Sequence, residues 1–410
     1  MSSDNTFVIV GGGLAAGKAA EALREHGHSG PLVIVADERE RPYVRPPLSK
    51  GYLLGKEERD SIFVHPEGWY TENGVDLRLG TSATAVDVRA KEVELDGGRR
   101  LPYSKLLLAT GSSPRRLSVP GADLDNVLYL RRVEDSERLR TAFTEGARIV
   151  VIGGGWIGLE TAAAARTAGA EVTVLEHSEL PLLKVLGREA AEVFARLHKD
   201  HGVDLRPRAE VESITGTEGR ADGVRLADGS HLAADTVVVG IGITPNVRLA
   251  QEAGLEVRDG IVTDERLRTS VPDIHAAGDV AKAYHPRLGR HLRVEHWANA
   301  LNQPLTAALS MLGRDSVYER LPYFYTDQYD LGMEYIGYVE PGGYDRVVFR
   351  GDVAGREFIA FWMSGNRVLA GMSVNIWDVI DPIRSLIGSG AGIDDARLSD
   401  PDVPLESLVP

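Results

Sequence analysis

Apolar positions along this chain fall first into short unbroken runs, each closed by glycine. FVIV from Phe7 and IVVI from Ile149 both lead into a Gly-Gly-Gly turn. A continuous apolar run of this length, bounded by glycine, predicts a strand buried on both faces. After each turn comes an alanine-rich stretch, LAAGKAAEALREHG in the first copy and WIGLETAAAARTAG in the second, which predicts a helix. A second apolar strand then ends on an acid, LVIVAD at Asp37 and EVTVLE at Glu176. KLLLATGSSPR, from Lys105, and DTVVVGIGITPN, from Asp235, each read as an apolar strand followed by a glycine turn. IHAAGDVA, from Ile274, predicts a short strand, then a glycine and an acid opening a helix. From about Leu321 the texture changes to alternating, aromatic-rich runs such as DRVVFRGDV and EFIAFWMSGNRVLAGMSV, separated by Gly-Gly and Gly-Asn turns. This predicts a small antiparallel sheet with a terminal helix or two, ending in a polar, proline-spaced surface tail.

The repeated strand–helix–strand unit is that of a dinucleotide-binding domain, so two dinucleotides are expected. The first loop carries Gly11, Gly13 and Ala16, the second Gly153, Gly155 and Gly158. The first glycine permits the tight turn, the second lets pyrophosphate approach the backbone, and a small third residue lets helix pack on strand. The helix N-terminus offers free N–H groups and its dipole to the phosphates. Asp37 and Glu176 stand where a carboxylate accepts hydrogen bonds from a ribose hydroxyl pair. Glu176 would repel the 2′-phosphate of NADPH, and no arginine follows before Arg188, so NADH is the expected coenzyme. The plainer reading of Glu176 is a solvated strand-end carboxylate.

The expected fold class is α/β, with two Rossmann-like dinucleotide-binding domains plus a small C-terminal α+β domain. The expected boundaries are 1–113 and 243–320 for the two parts of the first dinucleotide-binding domain, 114–242 for the second and 321–410 for the last. The length, 410 residues, suits several domains. A net charge of −14 argues against a general nucleic-acid binder. With no cysteine, disulfides, thiolate metal sites, cysteine-held iron–sulfur clusters and cysteine nucleophiles are all excluded, and no metal site is expected. No signal peptide and no membrane span is read, and a cytoplasmic location is expected.

ATGSSPR, GIGITPN and AAGD resemble the recurring junction segments of the two-dinucleotide-domain flavoprotein reductases. RPYVRPPLSK (residues 41–50), YLR (129–131), GGGWIGLE (153–160) and VEHWANALNQ (294–303) are similar to the NADH-dependent ferredoxin reductases of bacterial oxygenase systems. The resemblance covers essentially the whole chain. It implies FAD at the first loop, with Gly11, Gly13, Leu14, Ala15, Asp37, Arg45, Lys50, Ala83, Thr110, Gly111, Arg131, Gly278, Asp279 and Trp297 as its contacts. It implies NAD at the second loop, with Gly153, Gly155, Trp156, Ile157, Gly158, Glu160, Glu176, Gly242 and Glu295. Lys50 and Glu160 are implied to pair beside the reactive flavin edge, as the catalytic groups. Trp156 is open to two readings, a gate for the nicotinamide or a packing residue.

Without cysteine, electrons must leave directly from the flavin, which takes hydride and releases electrons singly. That suits an iron–sulfur partner, most simply a 2Fe-2S ferredoxin serving a cytochrome P-450 or a ring-hydroxylating dioxygenase. The alternatives are a rubredoxin- or quinone-reducing NADH dehydrogenase, and a redox-sensing protein like the apoptosis-inducing-factor branch, which DQYDLGMEYIGY also resembles. The segment PYFYTDQY (residues 322–329) departs from the tryptophan-containing form common in the family, which bears on the partner more than on the flavin. For docking, Tyr323, Phe324, Tyr325, Trp362 and Trp377 are read as apolar candidates, and Arg314, Arg320, Arg346 and Arg384 as a basic patch.

Overall fold

The computed structural model describes residues 5–409; residues 1–4 and 410, in the first and last expected segments, lie outside the described residues. The chain divides into two compact units. One comprises Met1–Arg45, Glu58–Ser113 and Ile243–Arg320, the other Pro46–Glu57, Pro114–Gly242 and Leu321–Pro410.

The first unit centres on a parallel sheet with strands in the order Ile274–Ala276, Lys105–Leu108, Phe7–Val10, Leu32–Val35, Val75–Arg78. Read from the Val75–Arg78 edge, this is the 3-2-1-4-5 order of a dinucleotide-binding fold, five of its six strands. Every residue of Phe7–Val10 and Leu32–Val35 is buried, which is why those runs are unbroken. The helix Leu14–Glu25 lays Ala15, Ala16, Ala19, Ala20 and Leu23 on the sheet and against Ala307, Ala308 and Met311 of the helix Trp297–Met311. The helix expected after Gly278 does not form. The chain turns instead into the strand Ala281–His285, parallel to Ile261–Thr263. Ala281, Ala283 and His285 are buried and Lys282 and Tyr284 only partly, a period of two that suits a strand.

The second unit carries a parallel sheet in the order Asp204–Pro207, Glu171–Glu176, Arg148–Ile152, Thr236–Val239, Val127–Leu128, with the helix Trp156–Thr167 following its central strand. Its C-terminal part is a five-stranded antiparallel sheet, Tyr323–Gln328, Leu331–Gly337, Arg367–Val374, Glu357–Ser364, Arg346–Asp352, with the helices Ile380–Ser389 and Asp395–Ser399. Strand Glu357–Ser364 is buried continuously from Phe358 to Met363. Ile359, Phe361 and Met363 pack against Ile383 and Leu386 of the helix Ile380–Ser389. On the other face Trp362, read from the sequence as a surface residue, is 1% exposed and donates its indole N–H to the Leu186 carbonyl at 3.0 Å. An alternating strand shows one face to solvent only when nothing covers it, and here the helical turn Leu183–Leu186 does.

Pro46–Glu57 groups with this second unit. Ser136 donates to the Leu48 carbonyl at 2.8 Å and Tyr52 to the Glu137 carboxylate at 2.7 Å, fixing the turn that carries Lys50.

Candidate functional site

The first unit shapes a cradle at its glycine loop. Gly11 has φ +130°, and a Cβ there would sit 2.1 Å from the Ala109 carbonyl oxygen, so only glycine lets the loop cross the neighbouring strand. Gly13 is extended and caps the helix Leu14–Glu25 without any side-chain cap, and a Cβ on it would meet nothing within 4 Å. Open space beside uncapped N–H groups, backed by the helix dipole, fits a pyrophosphate. Leu14 and Ala15 open that helix. Ala15 approaches Gly278, whose φ is +82° and whose N–H donates to the buried Gln303 amide oxygen at 2.9 Å. Asp279 follows it on the same turn. Thr110 and Gly111 are fixed by Asn246: its side-chain N–H donates to the Thr110 carbonyl and its backbone N–H to that of Gly111, at 2.8 and 2.9 Å. Neither Gln303 nor Asn246 was given a role from sequence, though both lie in quoted segments.

Asp37 is exposed and stands two residues beyond the end of its strand. The buried acid there is Glu38, which takes the Tyr43 hydroxyl and, at 2.7 Å, the Arg45 guanidinium. Arg45 is thus oriented by a carboxylate that the sequence reading did not single out. Ala83 opens the strand Ala83–Asp87, and Trp297 opens its helix behind His296. Glu295 is ion-paired with Arg293, which also reaches Asp259 at 3.2 Å.

The second unit holds an independent cradle. A Cβ on Gly153 (φ +107°) would lie 2.4 Å from the Gly240 oxygen, and one on Gly158 2.0 Å from the Gly153 oxygen. Gly155 again caps its helix in an extended conformation with no side-chain cap, and the nearest atom to an added Cβ is 3.9 Å away. Gly242 turns the strand-end loop at φ +102°. Glu176 is held by two backbone donors, Gly154 N–H at 2.7 Å and Ser178 N–H at 2.6 Å, one to each oxygen. The two acids are not equivalent. Val10 pairs with Val35 and Ile152 with Leu175, so Glu176 is the first residue past the pair and Asp37 the second. Beside Glu176, Glu179 binds both Arg188 and, at 3.0 Å, Arg208, a cluster the sequence alone did not bring together. Trp156 packs edge-on to Phe194 (5.4 Å) and tilted on Phe324 (5.1 Å), while Ile157 next to it is 40% exposed.

Within the same unit Lys50 Nζ lies 2.7 Å from Glu160 Oε1, the two side chains being 14% and 4% exposed. Thr326 donates to Glu160 Oε1 at 2.6 Å and Ser49 donates to Oε2. A buried carboxylate thereby has a cation and two hydroxyl donors, which satisfies it. The Tyr325 ring stands 5.5 Å from Lys50 Nζ. Burial raises the pKa of Asp327 above the usual carboxylate range, with Lys50 opposing the rise. Arg131 lies at the start of the helix Val133–Ala142, its N–H bonded to Asp135 at 3.0 Å. Ser49 and Thr326 are partners of Glu160 that sequence spacing could not reveal.

Two of the four arginines of the expected basic patch are ion-paired, and a third is bonded to a carbonyl and keeps its charge. Arg346 is bidentate to Asp395 with both contacts at 2.6 Å, Arg384 is paired with Asp381, and Arg314 donates to the His26 carbonyl at 2.8 Å. Phe324 is buried, whereas Trp377 is 55% exposed. Among the described residues no cluster of His, Cys, Asp and Glu could hold a metal, and no helix is long and apolar enough to cross a membrane.

Comparison with known proteins gives two family matches. The pyridine nucleotide-disulphide oxidoreductase family matches residues 5–303, and a reductase C-terminal family matches residues 323–409. The chain is 42% identical over 411 residues to the ferredoxin–NAD(+) reductase component of the anthranilate 1,2-dioxygenase system of Burkholderia cepacia, covering 100% of each. It is 37% identical over 414 residues to putidaredoxin reductase of Pseudomonas putida, covering 100% of this chain and 98% of that one. Among solved structures, the reductase in a covalent putidaredoxin reductase–putidaredoxin complex superimposes with a TM-score of 0.96 at 36% identity, over 100% of this chain and 99% of that one.

Proposed function

The chain belongs to the pyridine nucleotide-disulphide oxidoreductase family, and we propose that it is a cytoplasmic NADH-dependent FAD reductase passing electrons singly to a ferredoxin of an oxygenase system. The observation that carries this reading is the pair of dinucleotide cradles in a chain with no cysteine. Family members that reduce a disulfide need thiols, so here electrons can leave only from the flavin. The full-length likeness to a dioxygenase system's ferredoxin–NAD(+) reductase component supports the choice of acceptor.

FAD, when bound, supplies the conversion of a two-electron hydride donor into single-electron output. The protein's part is placement and charge. Gly13 and Gly155 leave room for a pyrophosphate at each uncapped helix start. Glu176, clamped by two amides, presents its remaining lone pairs to a ribose hydroxyl pair and its charge against a 2′-phosphate. The Lys50 ammonium, held on Glu160, is the fixed positive charge of the redox site and stabilises negative charge there. No proton-transferring side chain is required.

The test is an acceptor panel. NADH should drive fast cytochrome c reduction only when a 2Fe-2S ferredoxin is added, and acid precipitation should release FAD into the supernatant. Rapid quinone or rubredoxin reduction with no ferredoxin activity would overturn the reading.

A further inference from the structure

We propose that His198 is a positioning residue for the Lys50–Glu160 pair, acting through a buried one-way chain of hydrogen-bond donors formed by Gln328 and Thr326. The proposal rests on the reading of that pair as the fixed charge of the redox site.

The direction of the chain follows from counting protons. Glu160 can only accept, so the single hydroxyl proton of Thr326 is committed to its Oε1, at 2.6 Å. Gln328 must then present its amide N–H to Thr326 Oγ1, at 3.1 Å. That leaves the Gln328 oxygen facing His198 Nε2 at 2.8 Å, so this nitrogen carries hydrogen. His198 Nδ1 then faces the Tyr329 hydroxyl at 3.5 Å with its lone pair. Every donor in the sequence points towards Glu160. Thr326, Gln328 and His198 are 1%, 2% and 0% exposed, so water does not replace these partners.

The outer end is held by ring stacking and an ion pair, which offset an unfavourable backbone conformation. Tyr329 has φ +57°, rare for a bulky residue, in the two-residue turn between Tyr323–Gln328 and Leu331–Gly337. Its ring stacks on His201 at 3.8 Å, and His201 reaches Asp330 at 3.3 Å. The charged and titratable groups around His198 are thus His201, just past the end of the helix Arg188–Asp200 that carries His198, and Tyr329 and Asp330 on the turn. Arg166, bonded to the His201 carbonyl at 2.9 Å, and Arg356, which binds Asp330 at 3.3 Å, stand behind them. Burial holds the His198 imidazole down to about 4, so it serves as a neutral donor.

A carboxylate that shares its charge with this chain leaves more of the Lys50 field unquenched. Breaking the chain concentrates that charge on Lys50 and weakens the cation available to a reduced, anionic ring.

The experiment compares the holoenzyme with His198→Phe, which keeps a ring and removes the donor, and with His198→Gln, which keeps a donor that cannot ionise. Gln328→Leu breaks the chain at a second point in case the phenylalanine variant fails to fold. Stopped-flow flavin reduction at saturating NADH should slow about tenfold in His198→Phe and Gln328→Leu, or about 1.4 kcal/mol. The flavin midpoint potential should become more negative in both, and His198→Gln should stay within about twofold of the parent. Phenylalanine and glutamine variants equally impaired, or a phenylalanine variant with parental rate and potential and only a lowered Tm, would overturn the proposal. Long-range proton–nitrogen spectra give a readout independent of turnover: His198 should be a neutral Nε2–H tautomer from about pH 5 to 8. An Nδ1–H tautomer, or titration near the ordinary histidine value, would also overturn it. A parent protein that NADH does not reduce would refute the functional reading instead, and the spectra would still decide the chain.

Discussion

Replacing Glu176 with alanine tests coenzyme choice at its source. The carboxylate is held by the Gly154 and Ser178 amides at 2.7 and 2.6 Å, so it is ordered before any ligand arrives. The net loss is set at the worth of one hydrogen bond to a charged group, about 1.5–3 kcal/mol. Removing it should therefore lower kcat/KM for NADH by about 10- to 150-fold. The adenine ribose is remote from hydride transfer, so the loss should fall on KM with the saturated rate retained. NADPH should gain, because the charge facing its 2′-phosphate is gone while Arg188 and Arg208 stand close by on Glu179. Adding Glu179→Gln should free both guanidiniums and raise NADPH use further. The assay is anaerobic stopped-flow reduction of the flavin by each coenzyme, with thermal unfolding to show that the loop survives. An unchanged NADH-to-NADPH ratio in Glu176→Ala would refute the assignment of this carboxylate to the ribose.

Gly158→Ala should abolish NADH binding while leaving FAD content intact, because its Cβ would meet the Gly153 oxygen at 2.0 Å in the second cradle alone; coenzyme titration and flavin absorbance separate the two. Trp362→Ala should destabilise by about 3–5 kcal/mol through cavity formation, whereas Trp377→Ala, at a 55% exposed position, should leave the Tm nearly unchanged; calorimetry of both checks the burial assignment. His198 and His275 are both lowered by burial from 6.5 to about 4, so the unfolded chain binds protons that the folded chain refuses between those values. Stability should be full above pH 6.5 and fall towards about pH 4, by up to about 1.4 kcal/mol per histidine per pH unit. A Tm flat across that window would show both imidazoles to be solvated. Alanine at Arg346 or Arg384 should leave the salt dependence of ferredoxin-coupled cytochrome c reduction unchanged, since each is already paired with an aspartate; a flattened dependence in either variant would restore the basic patch.

Much of the fold was legible because its determinants are local. FVIV, LVIV and IVVI are unbroken because parallel strands covered on both faces have no polar side to show. The glycines of both loops were legible because the clash they avoid is with backbone, which any sequence at that turn would present. The strand Ala281–His285 was missed because an acid after a glycine also opens helices, and five residues of small alternation are a weak counter-signal. Trp362 was misplaced because alternation specifies two faces and not what covers them. The site divides in the same way. The cradles are written in contiguous motifs, and a family resemblance implied the Lys50–Glu160 pair. The groups that satisfy Glu160 come from the turn Pro46–Ser49 and the strand Tyr323–Gln328, and only tertiary folding brings them to one carboxylate.

The buried polar chain behind Glu160 bears on function for an energetic reason. Shape-matched apolar residues can often replace a satisfied buried polar pair at little cost or with a gain. The fold alone therefore has no need of a hydroxyl, an amide and an imidazole in series inside a sheet-on-helix contact that elsewhere uses alanine, leucine and phenylalanine. A single break in the series is costly, because it leaves a donor or acceptor unpaired away from water. The group at the end of the series is the carboxylate that holds Lys50. On the proposed reading of that pair, in a chain without a thiol to relay electrons or protons, its charge is a lever left to the protein. Replacing Thr326 by valine should therefore reproduce the slowed flavin reduction of the His198→Phe variant, and the double variant should be no slower than either single one. Additive losses in that cycle would show that the two residues act on Glu160 separately and that no chain connects them.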